Sequence, residues 1–170
     1  LAAAGEASSA PANGPADGAP VRALALSPDG KRLAVAWDHR ANLWDLYKLE
    51  RLQSESSEKE FRCVAWAADG AWAAVGGEDA QLLLWPQAGP AKAVRLSLPA
   101  GVTAVVFTPD GSKLFAACRD GKTRVIDVKK AQVVQEIDTH QFGSACLDIS
   151  PDGTRFYVND SPRAMFVADY

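Results

Sequence analysis

Along residues 21–170, short apolar runs alternate with polar turns, and the whole pattern recurs about every 40 residues. The four units read VRALALSPDGKRLAVAWDHRANLWDL (21–46), FRCVAWAADGAWAAVGGEDAQLLLWPQ (61–87), VTAVVFTPDGSKLFAACRDGKTRVIDV (102–128) and SACLDISPDGTRFYVNDSPRAMFVADY (144–170). Each holds three apolar runs, and a fourth run lies between units at 49–53, 93–98 and 132–137. The runs are too short for helices and rich in β-branched and aromatic residues, which predicts strands. The first turn reads SPDG, AADG, TPDG and SPDG, with Asp-Gly at 29–30, 69–70, 110–111 and 152–153. Proline pre-sets φ at the second turn position and glycine relieves strain at the last, so a hairpin built on a type I turn is expected there.

A period near 40 made of four strands and tight turns is the pattern of a propeller blade. The predicted fold class is therefore all-β: a partial β-propeller of about four four-stranded antiparallel blades, near 21–54, 61–98, 102–138 and 144–170. The fourth is expected to lack its outer strand, because the sequence reaches Tyr170 directly after the third run. Each blade needs a neighbour to bury its faces. The four repeats are not expected to close a ring by themselves, so blades 1 and 4 would each expose an apolar face. The remaining blades would come from the rest of the native chain or from a second copy.

The repeats resemble the WD-repeat β-propeller family, whose blade carries a tetrad of His, Ser/Thr, Asp and Trp. Asp38, Asp79 and Asp120 stand six residues before Trp44, Trp85 and Ile126, and both series step by 41. His140, nine residues before Ile149, takes the place of the tetrad histidine in the loop before blade 4; Asp17, Ser57 and Leu98 stand there in blades 1 to 3, and blade 4 has Pro162 and Ala168 for Asp and Trp. The resemblance implies structural roles for Asp38, Asp79, Asp120, Trp44, Trp85 and His140. It also implies that the residue before each turn aspartate faces partners, which makes Trp37, Glu78 and Arg119 contact candidates, with His39 and Arg40 beside them. For Trp37 the alternative is packing between blades; for the turn aspartates, the bottom-up reading is capping of the turn by accepting backbone N–H bonds. The second half, in SPDGTRFYVND (150–160) and RVIDVKKAQVVQEI (124–137), also resembles the YVTN repeats of bacterial surface and secreted propellers.

Composition adjusts this picture at its margins. Residues 1–20 contain only small and polar residues, proline and one leucine, and read as a flexible linker, with the tail of a signal peptide as the alternative. The net charge of −3, with both signs mixed along the repeats, argues against nucleic acid as a partner. No apolar stretch approaches the roughly 18 residues of a membrane span, so no membrane role is expected. Cys63, Cys118 and Cys146 each lie in an apolar run without metal-ligand spacing. They read as free core thiols, which favours a cytoplasmic or other reducing compartment, export being the alternative. The two histidines are far apart and no phosphate loop occurs, so no enzymatic activity, metal or cofactor is expected. The expected function is a scaffold that presents loop residues on one face to other proteins or peptides; an exported YVTN-like propeller binding a ligand or surface partner is the alternative.

Overall fold

The computed structural model describes residues 20–88, 92–141, 146–161 and 164–169, with backbone alone for 140–141, 160–161 and 164–169. The linker expected at 1–20 thus lies outside the described residues except for Pro20. Blade 1 contains β1 (Val21–Leu26), β2 (Arg32–Trp37), β3 (Arg40–Asp45) and β4 (Glu50–Ser56). Blade 2 contains β5 (Phe61–Trp66), β6 (Trp72–Gly77), β7 (Gln81–Pro86) and β8 (Val94–Ser97). Blade 3 contains β9 (Val102–Phe107), β10 (Lys113–Cys118), β11 (Gly121–Asp127) and β12 (Gln132–Gln141). Blade 4 has three described strands: β13 (Cys146–Ile149), β14 (Arg155–Ser161) and β15 (Ala164–Asp169). Every sheet is an antiparallel meander in chain order.

The Asp-Gly turns join the first two strands of each blade. Gly30 donates its N–H to the Ser27 carbonyl at 2.9 Å, and the corresponding bonds recur at Gly70, Gly111 and Gly153. All four glycines have φ of 68–70°, a region costly for a residue with a Cβ. In three turns a hydroxyl completes the lock. The Asp110 carboxylate accepts from the Thr108 hydroxyl at 2.5 Å and the Ser112 amide at 3.0 Å, and Asp152 does the same with Ser150 and Thr154. In the first turn, Asp29 accepts from Ser27 and Lys31. Blade 2 has Ala67 in place of the hydroxyl residue, so Asp69 is left to accept from the Ala71 amide.

Alternation along each strand then sorts side chains between two faces. Ala34, Ala36, Ala41 and Leu43 of blade 1 meet Val75, Leu83 and Trp85 of blade 2 in one core. The other face of blade 2, with Cys63, Ala74, Leu82 and Leu84, meets Phe107, Leu114, Ala116 and Ile126 of blade 3. Phe115 and Val125 of blade 3 pack on Phe156 and Val158 of blade 4, the two phenyl rings 5.1 Å apart.

This sorting corrects one expectation. Trp85 is fully buried, but Trp44, at the equivalent position one blade earlier, is only half-buried. Trp85 points at blade 1. Trp44 is in register with Leu33, and Leu33 with Leu26, on the face of blade 1 that no described residue covers. Leu24 and Leu26 on that face are 63% and 55% exposed.

Candidate functional site

The turns between second and third strands and the segments that lead into the next blade meet at one end of the sheets. Backbone bonds tie them together. Phe61 N–H donates to the Asp38 carbonyl at 2.7 Å, which pins the start of blade 2 to the turn of blade 1. Glu78 N–H donates to Glu60 and Arg119 N–H to Gly101, each at 2.9 Å. The approach is close because glycines stand where it happens: a Cβ on Gly77 would lie 2.6 Å from the Glu60 carbonyl oxygen. One on Gly101 would lie 3.1 Å from the Glu78 Cα.

On this frame five charged side chains alternate in sign across three blades. Arg22 of β1 lies 3.3 Å from the Glu60 carboxylate, and Arg62 of β5 lies 3.0 Å from the same oxygen. Arg62 Nε also donates to Glu78 Oε1 at 2.9 Å, and Arg119 Nη2 donates to that oxygen at 2.7 Å. The Arg62 hydrogen bond, then the Arg119 charge, hold the Glu78 carboxyl below its ordinary range against the opposing effect of burial. Such partly exposed pairs contribute only about 0.2–1 kcal/mol each to folding. Their physical consequence is positional: five long side chains are held in one arrangement, with three cations against two anions.

The structure thus joins two of the expected contact residues, Glu78 and Arg119, in one ion pair. His39 stands half-exposed beside Asp38, its Nε2 3.3 Å from the carboxylate. Arg40 opens β3 and is exposed. Trp37 differs: it is 5% exposed, so its indole is packed at the end of blade 1 and offers little surface to a partner.

The turn aspartates do three different things. Asp38, at φ 45°, faces His39. Asp79 accepts a hydrogen bond from the Ser57 hydroxyl at 2.6 Å and another from the Gln81 amide at 3.1 Å. Asp120 receives two bonds from the Arg124 guanidinium, at 3.1 and 2.5 Å, and a longer one from the Lys122 amide at 3.4 Å. Backbone capping is therefore the lesser part of what Asp120 does. Arg124 is a buried cation, its side chain 2% exposed, and its Nε also donates to Glu136 at 2.9 Å. Both carboxylates are held below their usual range, Asp120 by the Arg124 bond and Glu136 by the bond from Lys122 and then that from Arg124. His140 falls within the last residues of β12 rather than in a loop, and its side chain lies outside the described residues.

Sequence reasoning passed over Arg22, Glu60, Arg62 and Arg124. Arg22 and Arg62 occupy the second position of the opening run in two successive repeats, VRA and FRC, which is a readable signal. Arg124 interrupts an apolar run where blade 2 has Leu83, which is another. Glu60 carries no such mark within ESSEKE. Among the described residues no group of three or more His, Cys, Asp or Glu could hold a metal ion.

Three comparisons bear on this arrangement. The family model "WD domain, G-beta repeat" matches residues 13–45 and 49–86, and the "Anaphase-promoting complex subunit 4 WD40 domain" model matches residues 91–151. The chain is 31% identical over 134 residues to Protein groucho of Drosophila melanogaster, which covers 76% of the chain and 18% of that protein. In structure it is similar to Kuenenia stuttgartiensis hydrazine synthase, with a TM-score of 0.76 over 90% of the chain and 47% of that one. At 20% identity this second likeness shows the fold alone.

Proposed function

Because the chain belongs to the WD-repeat β-propeller family, we propose that it is a scaffold for other proteins or peptides and that the end carrying Glu78 and Arg119 is the contact face. The observation that carries this reading is the ionic chain Arg22–Glu60–Arg62–Glu78–Arg119. A surface whose side chains are already held in place loses little further freedom when a partner binds. Exposed arginine at a rigid rim is the residue type on which binding energy concentrates. His39 and Arg40 extend the same end on blade 1. The chemistry is recognition, with no reaction step, and the structural likeness to hydrazine synthase is one of fold. Of the two YVTN-like segments, 124–137 lies within the stretch matched by a WD40-domain model, which supports the WD-type reading there.

Pull-down with wild type and with Arg119→Ala tests the face. Loss of partners with unchanged circular dichroism is the expected result, and equal recovery would place the interface elsewhere.

The open face of blade 1, bearing Leu24, Leu26, Leu33 and Trp44, is proposed to be covered by further blades, from the native chain or a second copy. Contiguous exposed apolar surface of this kind associates. Light scattering should show self-association of the 170-residue chain, relieved by Leu26→Lys; a stable monomer would contradict the proposal. A reducing compartment fits Cys63 and Cys118, which are free and buried, burial pushing the Cys63 thiol up to about 12; Cys146, also expected in the core, is exposed at the start of β13 instead. Detection of the protein only in an exported fraction would refute that assignment.

A further inference from the structure

A second surface shares no residue with the ionic chain. It is a groove of about 690 Å³ between blades 1 and 2. Leu52, Gln53, Ser54 and Glu55, four consecutive residues of β4, line one wall. Successive strand residues point to opposite faces, so a wall that includes four in a row is the strand's edge. β4 is the outermost strand of its sheet, and the backbone groups along its outer edge pair with no other strand among the described residues. On the opposite wall, β8 pairs with β7 only as far as Leu84, while β7 continues to Pro86.

The charge of the groove differs from that of the molecule. The chain carries −3 overall. Among the groove's lining residues Arg32, Lys92 and Arg95 are cationic and Glu55 alone is anionic, so three minus one leaves +2. Two of the cations are held in position: Arg32 by the Gln87 side chain and carbonyl, and Arg95 by Glu55 across the gap between blades. Each guanidinium has five N–H donors and spends only one or two on these bonds. Leu52, 41% exposed, adds an apolar patch. The volume falls in the roughly 300–1,000 Å³ range of ligand sites.

We propose that this groove binds an extended acidic peptide that lies along the edge of β4. The peptide's alternate carboxylates would meet Lys92 and Arg95, and an apolar side chain between them would cover Leu52. Strand addition supplies the main-chain hydrogen bonds, and the charges supply the choice of sequence.

The test is fluorescence anisotropy with the full 170-residue chain and a labelled seven-residue peptide that alternates glutamate with valine and leucine. Saturable binding is expected. It should weaken about tenfold with Lys92→Glu, as for loss of a close charge pair, and should survive Arg119→Ala. Alternate N-methylation of the peptide amides should abolish it, since methylation removes the donors that an edge needs. Circular dichroism confirms that Lys92→Glu is folded, and Lys92→Gln gives a milder second variant expected to fall between the two. Equal binding of a lysine-for-glutamate peptide, no effect of either Lys92 variant, tolerance of N-methylation, or tighter binding of a short single-stranded oligonucleotide would each overturn the proposal.

Discussion

The Ser57 hydroxyl donates a hydrogen bond to the Asp79 carboxylate at 2.6 Å, linking the segment that enters blade 2 to the turn between that blade's second and third strands. Ser57 occupies the place where the WD-repeat pattern puts histidine, and Ser57 Oγ also accepts from the Lys59 amide at 3.0 Å. A short side chain thus makes the loop-to-turn bond that the tetrad makes with a ring.

This pair should therefore stabilise the blade measurably. Hydrogen bonds to charged groups contribute about 1.5–3 kcal/mol when buried, and this one is only part-buried. Ser57→Ala is expected to lower unfolding free energy by about 1–2 kcal/mol in urea melts. Asp79→Asn should cost less than Asp79→Ala, because the amide oxygen can still accept. Melts in which Ser57→Ala matches wild type would mean the bond is not maintained in solution.

The two repeat tryptophans are expected to behave differently. Trp85→Ala empties a fully enclosed site and should cost about 3–5 kcal/mol. Trp44→Ala removes a half-exposed side chain from the face of blade 1 that no described residue covers and should cost less than half as much. The ranking is read from paired denaturation curves, and equal losses would show that Trp44 is covered in solution.

Arg124 offers a test of charge against packing. Its guanidinium is buried at the seam between blades 2 and 3, bonded to Asp120 and Glu136. Arg124→Ala should destabilise by about 2–4 kcal/mol, since it removes the packing and separates two carboxylates from their cation. Arg124→Leu places in blade 3 the residue that blade 2 carries 41 positions earlier. It should recover the packing share of the loss, and most of the total, because Asp120 and Glu136 are 30% and 41% exposed and water can solvate them once the cation is gone. Equal loss in both variants would show that the charge itself is required.

The Asp-Gly turns predict how stability responds to acid. Hydrogen bonds from Thr108, and then from Ser112, hold the Asp110 carboxyl down to about 2, and Ser150 and Thr154 do the same for Asp152. An unfolded aspartate titrates near about 3.9. The folded pKa is thus the lower one, so the unfolded chain binds more protons as the pH falls. The stabilisation is complete above about pH 4 and is lost progressively as the pH drops towards 2. The urea midpoint of wild type should fall across that window. Asp110→Asn should start lower at pH 7 and fall less, so that the two curves converge near pH 2; parallel curves would rule the turns out as the source.

What the sequence determined by itself was everything that recurs. Strand positions, the Asp-Gly turns and the antiparallel order all follow from local alternation and turn chemistry, which act within a few residues and so can be read repeat by repeat. The expected outer strands at 49–53, 93–98 and 132–137 correspond to β4, β8 and a longer β12. Tertiary structure decided whatever depends on a neighbour. Trp44 and Trp85 have one position in the repeat and two fates, because burial requires a second sheet and, among the described residues, only Trp85 has one. Asp38, Asp79 and Asp120 also share a position, yet face His39, Ser57 and Arg124, partners one, 22 and four residues away. The chain of charges from Arg22 to Arg119 exists only because stacking brings residues of three blades to within about 3 Å of each other, a proximity that no single repeat encodes.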